Sequence, residues 1–148
     1  MSTIPAQDTI RIGQLEVQFR LDAPQTAGAF TMFEVRIPAA ARMPWPHSHD
    51  AFDETVYGQE GVTTFNVAGA PVAVGPGDVL FIPRGVVHSF DNRGTATSRG
   101  LCVITPGILG PAYFLEIAVV VNAGGPPDPA KIREVMQRHG LRPVVPSA

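Results

Sequence analysis

Residues 77–92 read GDVLFIPRGVVHSFDN, and this stretch decides the fold. Residues 79–82 are apolar at every position, which is typical of a short strand covered on both sides. Pro83 ends that strand, and Gly85 supplies a turn that needs either a positive φ or a close backbone approach. The stretch is therefore predicted to form a strand, a tight turn and a returning segment that presents His88.

A second stretch, PWPHSHD at residues 44–50, carries two more of the chain's four histidines. Residues i and i+2 of a strand project to the same side, so His47 and His49 are expected to point together, with Trp45 on the same face. Imidazole is the commonest metal ligand in proteins. The pair alone is weak evidence for a site, because a polar loop has the same pattern.

Glu54 is the expected carboxylate partner of these histidines. A turn after His49 followed by a returning strand would bring its side chain back to the same opening, while neighbouring Asp53 should point the other way. Two imidazoles and one carboxylate, with coordination positions left free, suit redox-active Fe(II). The remaining imidazole of the predicted site would come from His88.

The two stretches resemble the two signature motifs of the cupin superfamily. Residues 47–61 read H-x-H-x4-E-x6-G, and residues 77–92 read G-x5-P-x-G-x2-H-x3-N. All five fixed positions of the second motif are present, while the first has Ala41 in place of its leading glycine. The resemblance implies a small single-domain cupin of the cupin_2 type with one divalent metal. The residues on the family's metal-ligand positions are His47, His49, Glu54 and His88.

The rest of the chain agrees with an all-β fold. Alternating apolar and polar residues in LEVQFRL (15–21) and FEVRI (33–37), with turn signals between further short runs, predict eight to ten strands in a closed or double-sheet architecture. The cupin resemblance implies a jelly-roll β-barrel, or double-stranded β-helix. We expect a single domain over residues 1–148, with the barrel at about 10–105 and short C-terminal helices at about 110–142.

The wall of the barrel pocket is expected to be apolar and partly aromatic. Strand parity places Trp45, Val56 and Phe90 on the ligand-facing side, and Phe65 is a further candidate. Parity places no Lys or Arg near the ligands, which disfavours a sugar phosphate. The same side chains could instead simply fill the barrel core.

The composition of the chain narrows the classes of molecule that it is expected to bind. Charged residues make up only 16% of the chain, which suggests that part of its surface is covered in a homodimer. A net charge of −2 without a basic block disfavours nucleic acid and acidic membranes. The first residues lack the pattern of a secretory signal, and the lone Cys102 fits a reducing compartment. We therefore expect a cytoplasmic protein with a small-molecule substrate.

The resemblance implies a metal-dependent enzyme. Among the enzymes of the cupin superfamily, the dioxygenases are the first hypothesis for this chain. Such an enzyme would act on an enol, phenol or diketone, with Glu54 as a ligand that can also serve as general base. Iron or manganese would permit oxygen chemistry, while nickel, cobalt and zinc stay open. The alternatives are a non-catalytic module that binds a metal and a small ligand, or a metal-dependent isomerase, cyclase or decarboxylase.

Overall fold

The chain folds into two antiparallel sheets that enclose the core. The structure is a computed structural model, and it describes residues 1–43 and 45–144. The strands of the described residues are β1 (Thr9–Ile12), β2 (Leu15–Leu21), β3 (Thr31–Ile37), β4 (His47–His49), β5 (Asp53–Glu60), β6 (Thr63–Val67), β7 (Ala70–Val74), β8 (Val79–Ile82), β9 (His88–Asp91), β10 (Ser98–Thr105) and β11 (Leu141–Pro143). The helices are α1 (Pro111–Val121) and α2 (Pro129–Arg138), with a short 3-10 turn at Ala23–Thr26.

The sheet order is that of a double-stranded β-helix. One sheet runs β1-β2-β3-β10-β5-β8, and the other runs β11-β4-β9-β6-β7. Neighbouring strands come from distant parts of the chain, as where β10 pairs with both β3 and β5. The predicted all-β class with two short C-terminal helices is confirmed.

Strand alternation produces the core as the sequence predicts. In β2, Val17 and Phe19 are buried, and in β3 the buried residues are Thr31, Phe33, Val35 and Ile37. The rings of Phe19 and Phe33 lie 5.1 Å apart between their centroids. Period-two patterning is therefore enough to say which side chains line the barrel.

Turn residues of the two motifs take the conformations that glycine favours. Gly61 has a φ of 61°, and a Cβ there would lie 2.6 Å from the carbonyl oxygen of Thr97. The first motif lacks its leading glycine, but Ala40, next to Ala41, has a φ of 64°. The carbonyl of Ala41 accepts a hydrogen bond from the backbone N–H of Asn92. The turn before β4 therefore forms without glycine at position 41.

The C-terminal helices are joined to the barrel by a strand that the sequence does not predict. Asp128 caps α2 by accepting a hydrogen bond from the N–H of Ala130, and Gly140 takes a φ of 79° after its end, both as expected. The chain then forms β11, in which Leu141 is the partner of His49 in β4. The C-terminal segment thus adds an edge strand, β11, directly beside His47 and His49.

The expectation that β8 is covered on both faces is wrong for the single chain. Ile82 is fully buried, but Val79 and Phe81 are 64% and 57% exposed on the outer face of the sheet. Tyr57, on the adjacent strand β5, is 47% exposed on the same face and is the register partner of Val79. An apolar run therefore predicts the strand but does not show which of its two faces is covered by other residues.

None of the helices in residues 1–43 and 45–144 has the length and apolar content needed to cross a membrane.

Candidate metal centre

Two strands of one sheet bring the three histidines together. His47 and His49 occupy alternate positions of β4, and His88 is the first residue of β9. The two strands pair antiparallel, with His47 opposite His88. The backbone N–H of Gly85 also donates to the carbonyl of His49, at 2.8 Å, which ties the turn before His88 to the ligand strand.

The three imidazoles form a compact, buried cluster. One ring nitrogen from each of His47, His49 and His88 lies within 4.8 Å of the others. Their ring centroids are 4.7 to 5.1 Å apart, and all three side chains are buried. Neutral imidazoles held at this spacing are suited to share one divalent cation.

Backbone carbonyls orient two of the rings. The Nδ1 of His47 lies 3.3 Å from the carbonyl oxygen of Trp45, and the Nδ1 of His88 lies 3.0 Å from that of Val86. A carbonyl can only accept, so each Nδ1 carries a proton, and Nε2 keeps its lone pair whenever the ring is neutral. When His88 is protonated, its Nε2 also carries a proton and can donate to Glu54. Metal-binding histidines are characteristically fixed in this way.

His49 is held by packing instead. Its ring stacks on Phe52, with centroids 4.3 Å apart and planes 22° apart. Its Nδ1 is buried without a hydrogen-bond partner in the described part of the chain. Burying an imidazole nitrogen without a hydrogen-bond partner costs free energy of folding. The chemistry of the donor set, three clustered imidazoles, fits a bound divalent metal.

Glu54 reaches the same cluster from the opposite sheet. Its Oε2 lies 3.4 Å from the Nε2 of His88 and 3.9 Å from the Nε2 of His49. Asp53, its neighbour on β5, instead accepts hydrogen bonds from the backbone and side chain of Arg84 on the exterior. The structure thus places Glu54 inside and Asp53 outside, as alternation predicts, and pairs Arg84 with Asp53.

Burial and mutual contact set the charges of the cluster. Burial, with the neighbouring imidazoles, lowers the pKa of His47 to about 3, and burial lowers that of His49 to about 4. Burial would raise the pKa of Glu54, yet the hydrogen bond from His88 and the nearby imidazoles lower it to about 2. For His88, burial lowers the pKa, but contact with Glu54 outweighs burial and leaves it raised. Near neutral pH the site therefore offers an ionised carboxylate and neutral imidazoles, with His88 most easily protonated.

An apolar cavity of about 110 Å³ lies against this cluster. All four residues expected to line the pocket do so, namely Trp45, Val56, Phe65 and Phe90. Phe65 and Phe90 pair across β6 and β9, with ring centroids 5.6 Å apart. The first helix also lines the cavity, through Tyr113, Phe114 and Ile117.

Sequence reasoning missed three residues of the site. Phe52 stacks on His49, Tyr113 lines the cavity from α1, and the thiol of Cys102 lies beside Glu54. Burial, together with that carboxylate, raises the pKa of Cys102, which keeps the thiol protonated. Alternation along β10 could have shown that Cys102 shares a face with the barrel interior. Nothing in the sequence shows which side of the barrel α1 closes.

Comparison with known proteins supports the fold. Residues 33–104 match the family model described as Cupin domain. KdgF from Halomonas sp. superposes with a TM-score of 0.60 at 17% identity, over 68% of this chain and 86% of that chain. The polyketide cyclase RemF from Streptomyces resistomycificus has a TM-score of 0.55 at 27% identity, over 66% and 74%. A predicted oxalate decarboxylase from Thermotoga maritima has a TM-score of 0.58 at 24% identity, over 67% and 90%.

No curated protein matches the sequence.

Proposed function

We propose that this chain is a metal-dependent enzyme of the cupin superfamily for small apolar enols, phenols or diketones, with dioxygenation as the reaction. The observation that carries the proposal is the opening of an apolar cavity onto three imidazoles and one carboxylate. A catalytic site and its substrate pocket are expected to meet in this way.

The metal would be held by His47, His49, His88 and Glu54. Three neutral imidazoles and one carboxylate carry a net charge of about −1, so a divalent cation leaves the site at about +1. Such an ion supplies Lewis acidity toward an anionic substrate oxygen and, if it is iron or manganese, redox chemistry with dioxygen. The mixed nitrogen and oxygen donor set fits iron or manganese, and also nickel, cobalt or zinc.

With the three imidazoles bound to the metal, Glu54 is the residue of the cluster that would accept a proton, as a ligand that also serves as general base. Its pKa is lowered to about 2, so the carboxylate is ionised at neutral pH. It lies at the cavity wall, 3.4 Å from the His88 Nε2. A carboxylate there can take the proton of an enol or phenol as the substrate oxygen becomes anionic. The apolar wall excludes water and strengthens this electrostatic contact.

The cavity favours an uncharged substrate. Arg99 is the one cationic residue along it in the described residues, and its guanidinium is directed to carboxylates. Its Nε lies 3.6 Å from Glu60, and its Nη1 lies 3.9 Å from Glu34. The charge of this guanidinium is thus already balanced by two carboxylates, which disfavours a sugar phosphate in the cavity.

A redox-neutral cyclase is the second candidate. The similarity to the polyketide cyclase RemF, at 27% identity, favours it. A cyclisation would use the same activation of a carbonyl compound, with Glu54 removing a proton next to the carbonyl carbon. It would require no dioxygen, so oxygen consumption separates the two candidates.

Metal analysis followed by an oxygen assay tests the proposal. The protein is purified without an affinity tag, and its metal content is measured by inductively coupled plasma mass spectrometry. Iron- or manganese-loaded protein is then incubated with a panel of enols, phenols and diketones while oxygen is recorded. Oxygen uptake that is lost in His47→Ala and kept in Asp53→Asn supports the dioxygenase, because Asp53 lies outside the cluster and pairs with Arg84. Product without oxygen uptake indicates the cyclase, and ligand binding without any product indicates a binding module.

The assembly and the compartment belong to the same proposal. The exposed apolar residues Tyr57, Val79 and Phe81 are the candidate surface for a homodimer, since a second copy would remove them from water. The cytoplasm is proposed because Cys102 is free and buried.

A further inference from the structure

Tyr113 brings a hydroxyl group to the cavity wall from outside both the metal cluster and the barrel strands. Tyr113 lies in the first turn of α1 and lines the same cavity as His47 and Glu54. Its side chain is 6% exposed, so the phenol is enclosed by the fold. It is therefore part of the wall that a bound molecule would touch.

The hydroxyl of Tyr113 has no hydrogen-bond partner in the residues that the structure describes. Among those residues, the fully enclosed polar side-chain atoms without a partner are His49 Nδ1, Gln59 Oε1 and Arg99 Nε. The Tyr113 oxygen is not in this set, so it is not fully enclosed by protein atoms, and the residue lines the cavity. Buried tyrosine hydroxyls usually have a partner. A donor that faces an otherwise apolar cavity is suited to a ligand oxygen.

The segment before Tyr113 is fixed by contacts that leave it little freedom. The Thr31 hydroxyl donates to the carbonyl of Leu109 at 2.7 Å, and both residues are buried. A Cβ on Gly107 would lie 2.8 Å from the carbonyl carbon of Phe30, so the two backbones are in close contact. α1 then begins at Pro111, whose fixed φ suits the first helical position.

Aromatic packing holds the first turn of α1 against the barrel. Phe114 makes edge-to-face contacts with Phe33 and Phe19, at centroid distances of 5.0 and 5.6 Å. The Tyr113 ring packs against Phe114 and against His139, which bonds to Glu116 across the two helices. The position of the phenol is thus set before any ligand arrives, as a selective hydrogen-bond donor requires.

We propose that the Tyr113 hydroxyl binds a second oxygen of the substrate, while a first oxygen faces the histidine and glutamate cluster. The inference rests on the proposed function and narrows its substrate class to compounds with two oxygen functions, such as 1,3-diketones. Burial raises the pKa of Tyr113, so its phenol is a protonated donor at neutral pH.

Two ligands that differ by one oxygen test the inference. 1-Phenylbutane-1,3-dione and 1-phenylbutan-1-one share a carbon skeleton, and only the first has a second carbonyl. Each is titrated by calorimetry into zinc-loaded protein, because zinc has no redox chemistry and binding is read without oxygen turnover. Tyr113→Phe removes only the hydroxyl. Tyr57→Phe is the matched control, since Tyr57 is the chain's other tyrosine and lies on the outer face.

We expect Tyr113→Phe to weaken binding of the diketone about fivefold, in line with one neutral hydrogen bond, and to leave the monoketone within about twofold. Tyr57→Phe should change neither affinity. Equal losses for both ligands, or none, would overturn the inference, because a structural role does not distinguish the two compounds.

Oxygen uptake by the iron-loaded protein separates this inference from the proposed function. Diketone affinity that does not depend on Tyr113, alongside normal turnover, overturns the inference alone. Binding that depends on Tyr113 without any turnover supports the inference and contradicts the enzyme. A wild-type protein that binds neither ligand overturns both.

Discussion

His47 and His88 are direct cross-strand partners in the ladder between β4 and β9, and their ring centroids lie 4.7 Å apart. Each Nδ1 is within hydrogen-bonding distance of the carbonyl two residues earlier in the chain, Trp45 in one case and Val86 in the other. The two motifs therefore present their imidazoles in the same local way. The pairing of the two strands converts two separate sequence patterns into one cluster.

The ligand assignment predicts that His88→Ala loses its metal and stays folded. One of three clustered imidazoles is removed, so metal content should fall to less than about a tenth of an equivalent per chain. The loss of packing at this buried position should cost about 2 kcal/mol or less of unfolding free energy. Inductively coupled plasma mass spectrometry and urea unfolding measure the two effects.

His139→Ala is the control for that variant. It removes the histidine that bonds to Glu116 between the two helices, away from the cluster. Its metal content should match that of the wild type. An unchanged metal content in His88→Ala would show that the ligand assignment is wrong.

Substitutions of the two adjacent carboxylates on β5 are predicted to differ in their effect on turnover. Glu54→Gln keeps the shape but removes the charge and the proton-accepting group, so turnover should fall about 100-fold or more. Asp53→Asn weakens only an exterior pair with Arg84 and should leave turnover within about twofold. Steady-state rates of the two variants, at equal metal loading, make the comparison. Similar losses in both variants would contradict a catalytic role specific to Glu54.

The metal-free protein is predicted to lose stability as pH falls below about 6.5. In the unfolded chain His47 and His49 bind protons near that pH, whereas in the folded chain their pKa values are about 3 and about 4. Protons therefore favour the unfolded state between about pH 6.5 and pH 4, by up to about 1.4 kcal/mol per pH unit for each histidine. Glu54, with its pKa lowered to about 2, continues the same trend below about pH 4.5.

His88 contributes to the pH dependence of stability with the opposite sign, and its contribution changes at higher pH. Its raised pKa adds stability that is fully present below about pH 6.5 and is lost as pH rises through its folded pKa. The stability maximum should thus lie near pH 6.5. Urea unfolding of chelator-treated protein from pH 4.5 to pH 8 measures the curve, with His47→Gln expected to have about half of the wild-type slope below pH 6. A flat curve would mean that the imidazoles are not buried as neutral groups.

The homodimer is predicted to depend on the outer face of β5 and β8. Phe81→Glu places a charge among exposed apolar side chains and should convert the dimer to a monomer in light scattering at micromolar concentration. Val119→Glu, on the exposed side of α1, is the control and should leave the dimer intact. A wild-type protein that is monomeric at this concentration would contradict the proposal.

The core was within reach of sequence reasoning because it depends on short-range geometry, and the four clustered residues were within reach because they stand at the positions of the two motifs. Alternation alone directs Val17 and Phe19 inward, and it separates Glu54 from Asp53. Whether the outer face of β8 is buried was not predictable in this way. An apolar residue on an outer face looks the same in sequence whether another subunit covers it or water does.

The sequence by itself determined the strands and turns of an all-β barrel, because strand parity and turn chemistry act over a few residues, and its resemblance to the cupin motifs singled out three histidines and a glutamate. Only the tertiary structure decided which side chains complete the site from outside the motifs. Phe52 stacks on His49, β11 pairs with β4, and Tyr113 enters the cavity from α1. The last two of these contacts join segments that are far apart in the chain, and packing against the whole barrel sets all three, so no local pattern encodes them.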